Sequence, residues 1–356
     1  MKKITLLVGL LAVSLFVKAQ APKYSNEFLT LGVGARALGM AGAQVSQVGD
    51  VTAGYWNPAG LVNTKGDIQV ALMHSEYFAG IGKYDYGAIS SSIDSMRHFG
   101  VSILRFGIDD IANTTELIDK NGQVLYDKVT SFSAADYAFL LSYSSRTRIT
   151  GLSYGANVKI IYRNVGDFAK AWGFGLDVGA QYNKNNWRFG AFAKDITSTF
   201  NAWSYTLNDA TKETFFKTEN EIPENGLEIT LPRLILGTSY RFNINKFSIV
   251  PALDLETTFD GKRNTLIKSS FASIDPKIGV EAGYNNLIYL RAGINNIQDI
   301  TEIDNTTKKT VQPNLGVGIK LKNLSIDYAL TNIGSSANLY SNVFSLRLII
   351  NKQKRS

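Results

Sequence analysis

Between Ala171 and Tyr182 the chain alternates without a slip. Trp172, Phe174, Leu176, Val178, Ala180 and Tyr182 share one parity, and Ala171, Gly173, Gly175, Asp177, Gly179 and Gln181 share the other. Successive side chains of an extended strand point to opposite faces, so this segment has one apolar face bounded by aromatics and one small or polar face. Residues 151–162 repeat the pattern. Leu152, Tyr154, Ala156, Val158, Ile160 and Tyr162 oppose Ser153, Gly155, Asn157 and Lys159. A chain built from such segments must give each face a different environment. Their length suits a tilted strand crossing a bilayer, which needs about 9–11 residues.

About fourteen segments of this kind can be counted. They lie near 67–75, 84–93, 98–107, 132–145, 150–163, 170–183, 186–196, 231–243, 246–257, 276–285, 287–295, 313–321, 323–332 and 341–350. Their connections alternate. Residues 146–149, 183–185, 243–245, 286 and 322 are tight, and most contain Asn. Residues 108–131, 197–230, 258–275, 296–312 and 334–340 are longer, with 164–169 as the short exception. Tight turns on one side and extended loops on the other mark a transmembrane barrel. A soluble sandwich has no reason to sort its turns by side. The fold class expected is therefore all-β: a transmembrane antiparallel β-barrel of about 14 strands. An even count brings both ends to the periplasmic side, with residues 351–356 as a periplasmic tail. Tyr182, Trp187, Phe242, Phe247, Tyr284 and Tyr289 lie beside the tight turns and are expected to form an interfacial girdle. The last strand ends in Ile350, where many such barrels end in an aromatic residue.

Composition agrees. Met1-Lys2-Lys3, an apolar run from Ile4 to Val17 and the small residue Ala19 predict a signal peptide over 1–19. Removing Lys2, Lys3 and Lys18 lowers the net charge from +7 to +4, spread thinly, which argues against nucleic acid as a partner. There is no cysteine, so disulfides and thiolate metal sites are excluded. No later stretch reaches 18 consecutive apolar residues, as a membrane-spanning helix requires. Many Tyr, Phe and Gly with a mean hydropathy near zero fit a barrel whose two faces cancel.

Such a barrel is too wide for wall side chains alone to fill and narrower than open porins. Residues 20–66 precede the first strand and are predicted to plug the lumen, with the barrel proper over 67–350. Gly32, Gly34, Gly39 and Gly42, interleaved with Ala35, Ala37, Ala41 and Ala43, keep that segment thin, and Asn57-Pro58 fixes a turn. Two stretches, Gly-Val-Gly-Ala-Arg-Ala-Leu-Gly-Met-Ala-Gly-Ala over 32–43 and Tyr-Trp-Asn-Pro-Ala-Gly-Leu over 55–61, resemble the start of the PorV/PorQ family. These are outer-membrane proteins of the Bacteroidota, related in fold to FadL long-chain fatty-acid transporters. The resemblance covers roughly residues 30–65 and implies a FadL-like barrel with an N-terminal hatch in the cell outer membrane.

Enzyme chemistry has little support, and no cofactor site is expected. His74 and His98 lie on predicted strands with no nucleophile to form a catalytic set. Asp109-Asp110 lacks the spacing of a Ca²⁺ loop. Gly32-x-Gly34 lacks the Lys-Ser/Thr of a phosphate loop. Arg36 is the sole charge between residues 28 and 49 and, inside a lumen, needs an acceptor; Asp177 and Glu281 on inward faces are candidates.

Two functions follow from the resemblance, with type IX secretion as the main reading and transport as its alternative. The PorV likeness implies type IX protein secretion, with exported cargo and translocon or attachment components as partners. The 197–230 loop would then supply Phe200, Trp203, Tyr205, Phe215 and Phe216 as aromatic anchors. The FadL likeness implies instead a transporter for small hydrophobic molecules. A continuous apolar pocket favours transport, and a sealed interior with an apolar loop patch favours cargo binding. Asn157, Lys159, Asp177, Gln181, Lys194 and Glu281 predict a polar lumen.

Overall fold

The computed structural model describes residues 25–118, 122–301, 306–332 and 340–351. The expected signal peptide and residues 352–356 of the expected tail lie outside them. The strands are Ile68–Tyr77 (β1), Gly82–Ser92 (β2), Arg97–Asn113 (β3), Thr130–Arg146 (β4), Leu152–Val165 (β5), Ala169–Lys184 (β6), Trp187–Lys194 (β7), Thr199–Tyr205 (β8) and Gly226–Thr230 (β9). They continue with Arg233–Tyr240 (β10), Phe242–Ile244 (β11), Phe247–Thr258 (β12), Ile267–Lys268 (β13), Ser273–Tyr284 (β14), Ile288–Thr301 (β15), Thr307–Leu321 (β16), Leu324–Thr331 (β17) and Ser341–Ile350 (β18).

All belong to one antiparallel sheet that closes on itself as a 14-strand barrel. The seam is made by β18 on β1, with Ile350 opposite Ile68. Two staves are broken: β8 continues β7 along the edge of β6, and β9 and β11 continue β10 at its two ends, while the two-residue β13 is a loop segment paired on β14, which leaves 14 staves. Asp195 and Ser198, with φ of 56° and 59°, make the first break, and Leu231-Pro232 makes the second. Pro232 offers no N–H to a ladder, which is why pairing lapses there.

Period-2 alternation sorts the faces as expected. Outward positions such as Leu72, Trp172, Phe174, Leu176, Val178, Leu253, Val317 and Leu346 are exposed, Leu72 by 57%. Water would penalise an apolar band of this extent, and lipid accepts it. Tight turns at one end use Asn185, Asn245, Asn285 and Asn286 in the left-handed region, where Asn is best tolerated after Gly. At the same rim Trp187 meets Tyr240 at 4.8 Å, Tyr240 meets Phe242 at 4.5 Å, and Phe247 meets Tyr284 at 4.9 Å. Tyr289 departs from the expected girdle: Ile288 and Leu290 take the outward positions, so Tyr289 faces the lumen.

The stretch 197–230 is not the expected long loop. Thr199–Tyr205 and Gly226–Thr230 extend the barrel wall as a hairpin, capped by a helix over Asp209–Lys217. Alternation through Thr-Phe-Asn-Ala-Trp-Ser-Tyr carried the signal for that strand. On the loop side, residues 78–81 and 166–168 are also short.

Residues 25–66 run through the lumen, largely buried. They form short helical turns over Glu27–Thr30, Ala35–Leu38, Ala53–Trp56 and Pro58–Asn63. One side of this segment packs Val33, Trp56 and Leu61 against Tyr77, Tyr84, Tyr86, Leu104 and Leu140 of the first four strands. That is the main hydrophobic core, and it lies inside the barrel rather than between layers.

Candidate functional site

The lumen and the segment of residues 25–66 packed inside it form the site. Where they touch, the wall is stripped of side chains. Gly155 pairs with Gly179, Gly190 with Gly237, and Gly279 with Gly293, all at inward positions. A Cβ on Gly155 would lie 2.5 Å from the Pro58 carbonyl carbon, on Gly190 2.3 Å from the Val45 oxygen, and on Gly279 2.5 Å from the Met40 oxygen. Gly39 is held as closely from the other side: its Cβ would come within 2.9 Å of Gly316 Cα. The wall thus accepts the segment's backbone at van der Waals distance, and alanine at these positions would clash.

Polar wall groups then fasten the exposed backbone. Asp254 Oδ2 accepts from the N–H groups of Gln44 at 2.7 Å and Val45 at 2.9 Å. Gln181 donates to the carbonyls of Val45 and Val48, and Ser144 and Ser153 both donate to the Ala59 carbonyl. Asn57 donates to Val45 O at 2.9 Å and Ala180 O at 3.1 Å while its own oxygen accepts from Ala59 N–H. Pro58 follows as the first residue of a helical turn, where its missing N–H has no consequence. Gly32 and Gly34 take φ of 89° and 82°, which only glycine adopts freely.

Ion pairs complete the attachment. Arg36 grips Glu281 with two hydrogen bonds, 2.8 and 3.0 Å, and lies 3.7 Å from Asp50. Glu281 also accepts from Arg291 at 2.7 Å, Arg291 reaches Asp327 at 2.7 Å, and Arg347 bonds Asp50. Burial would raise the Asp50 carboxyl, but Arg347, Arg36 and Thr52 outweigh it and hold it below its ordinary range. Of the two acceptors expected for Arg36, Glu281 serves and Asp177 does not. Asp177 is occupied by Lys159 at 2.8 Å and Asn157 at 3.2 Å. Glu27 secures the segment's start through Arg233 at 2.9 Å, which also meets Glu256.

Above and below the segment the lumen opens into two cavities. The loop-side cavity, about 480 Å³, has Tyr55, Trp56, Phe192 and Ile235 beside Lys194 and the Arg233–Glu256–Lys277 cluster. Lys194 has no carboxylate in salt-bridge contact among the described residues; it donates to Leu29 O at 3.4 Å and lies 5.1 Å from the Tyr55 ring. The turn-side cavity, about 450 Å³, is lined by Arg36, Asp50, Glu281, Arg291 and Arg347 together with further cations.

The expected loop residues do not share a surface. Phe200 lies on the outward parity of β8 against Phe174, while Trp203 and Tyr205 lie on the inward parity, Trp203 bonded to Glu228. Phe215 and Phe216 sit on the Asp209–Lys217 helix, Phe216 81% exposed. His74 lies on the outer face beside Asp85 at 2.7 Å, and Asp109 pairs with Lys83 at 3.0 Å. Sequence reasoning missed the glycine pairs and the clamp Asp254; it placed Asn157 on the inward face, but not its hydrogen bond to the Gly54 carbonyl at 2.8 Å. Their signal was inward parity, visible once the strand register is known.

No family model matches the chain, and no curated protein matches it. Solved structures do. A toluene transporter of Ralstonia pickettii, TbuX, aligns over 90% of this chain and 99% of its own, with 14% identity and a TM-score of 0.55. The Pseudomonas putida toluene transporter TodX aligns over 90% and 99%, with 16% identity and a TM-score of 0.54. A FadL homologue of Pseudomonas aeruginosa aligns over 88% and 97%, with 12% identity and a TM-score of 0.52. At these identities the likeness is one of fold: a FadL-like barrel.

Proposed function

We propose that this chain resides in the outer membrane, long loops outward and tight turns in the periplasm, and that residues 25–66 act as a plug regulating passage of small hydrophobic molecules. The observation that carries this reading is the loop-side cavity. Its aromatic and aliphatic residues receive an apolar body, and Lys194 offers a partner to a polar or anionic end. The fold shared with toluene transporters supports the same direction. The remaining wall is charged, so a molecule combining both characters fits better than a plain hydrocarbon. Equilibrium binding of toluene and benzoate to the purified barrel tests it. Saturable binding with benzoate tighter is expected, and absence of binding by both refutes it.

A second reading, association with type IX secretion, is favoured by one feature. Phe216 projects from the hairpin helix with no covering partner among the described residues. Exposed aromatics of this kind anchor protein partners. Capture of exported proteins by the native chain from solubilised membranes, lost on Phe216→Ser, supports this role; capture unchanged by the substitution removes Phe216 from it.

A further inference from the structure

The turn-side cavity carries a charge the fold does not neutralise. Three of its cations, Arg36, Arg291 and Arg347, are matched by Asp50, Glu281 and Asp327. Four more line the same space: Lys65, Arg188, Arg241 and Lys320. Arg188, Arg241 and Lys320 are half-buried, and none has a carboxylate in salt-bridge contact among the described residues. Seven cations against three carboxylates leave an excess of four positive charges around about 450 Å³. The loop-side cavity has Lys194, Arg233, Arg263 and Lys277 against Glu27, Glu256 and Asp275, close to balance. The excess is therefore local and not a property of the lumen.

Like charges crowded along a low-dielectric wall repel one another, and clefts of one sign concentrate counter-ions. Arg36, Arg291 and Arg347 are already fixed by carboxylates, so their remaining N–H groups are held in place before any ligand arrives. Asn63, Asn183 and Asn286 add amide donors to the same lining. We propose that the turn-side cavity binds a small multivalent oxyanion, phosphate-bearing or polycarboxylate, with Arg188, Arg241 and Lys320 as its principal contacts. A ligand of this class satisfies several guanidinium forks at once. A monovalent ion such as chloride leaves most of the excess in place. The site does not depend on what the loop-side cavity accepts.

The test is calorimetric titration of the full chain in detergent with inorganic pyrophosphate and, separately, with citrate, ionic strength held constant with sodium chloride. One saturable site is expected for at least one anion. The Arg188→Gln/Arg241→Gln double variant should weaken it at least about tenfold, the effect of losing charge-assisted hydrogen bonds. Arg188→Lys/Arg241→Lys keeps the charge but loses the planar forks, so its affinity should fall between those of the native chain and the double glutamine variant, and Lys268→Gln, on the loop side, should leave it unchanged. Preference for pyrophosphate assigns the site to phosphate groups, and preference for citrate to carboxylates. Heat that never saturates for both anions, or affinity equal in the double glutamine variant and the native chain, overturns the proposal. The folded state of each variant is checked by its melting transition, and Lys320→Gln alone provides the same readout if the double variant does not fold.

Discussion

The two cavities are nearly equal in volume and are separated by a single segment, yet they are chemically opposed. The loop-side cavity joins Tyr55, Trp56 and Phe192 to a nearly balanced set of charges. The turn-side cavity gathers arginines and lysines within a few residues of the tight turns: Arg188 follows Asn185-Asn186, Arg241 precedes the β11 hairpin, and Lys320 precedes Lys322. The same alternation built both walls. It determines which positions face inward and leaves open what they carry, so position along the stave sets the chemistry.

The contrast exists only while residues 25–66 stay seated, and the largest effect should come from unseating them. Glu281→Gln removes the carboxylate shared by Arg36 and Arg291; Asp50 and Asp327 still face those guanidiniums, so the cost is that of the lost charge-assisted hydrogen bonds, about 1.5–3 kcal/mol each. Urea unfolding should register that loss. Gly279→Ala should cost about 1–3 kcal/mol, since its Cβ would press on Met40, as overpacking elsewhere does. Gly226→Ala, whose Cβ would meet nothing closer than 3.9 Å, should leave the melting transition within a degree or so of the native chain. Lys194→Met sharpens the comparison from the other side. It should lower benzoate affinity roughly tenfold while leaving toluene and pyrophosphate binding as they were.

Among the changes expected to act at all, acid should give the smallest effect. The Asp50 carboxyl is lowered in the folded chain, so its contribution is complete above the ordinary carboxylate range and is lost as pH falls through the lowered value. Protease nicking of residues 25–66 in the detergent-solubilised barrel should rise over that acidic window. In Asp50→Asn the rise should be blunted.

Much of the barrel was legible because one parity rule governs every stave. Trp172 through Tyr182 could be assigned to lipid, and Asp177 and Gln181 to the lumen, from spacing alone. Glu281 could be matched with Arg36 because a lone charge in an otherwise neutral segment must find an inward acid. Asp177 failed the same reasoning: its charge was already claimed by Lys159, a contact set by the β5–β6 register that spacing does not reveal. Tyr289 was misplaced because closeness to a turn was weighed above parity. The glycine pairs escaped because a glycine reads as small, while its purpose is set by Pro58 or Met40 far away in sequence. The turn-side cations escaped because they are scattered over 65–347 and only closure of the barrel gathers them.

The proposed division of the lumen by residues 25–66 can be tested directly. The native chain has no cysteine, so single substitutions report cleanly. Gln312→Cys lines the loop-side cavity and Ser325→Cys the turn-side cavity. A small, membrane-impermeant cationic thiol reagent is applied to intact cells. Position 312 should react and position 325 should not, and deleting residues 25–66 should make both react. Equal reaction at both positions in the undeleted chain would contradict it.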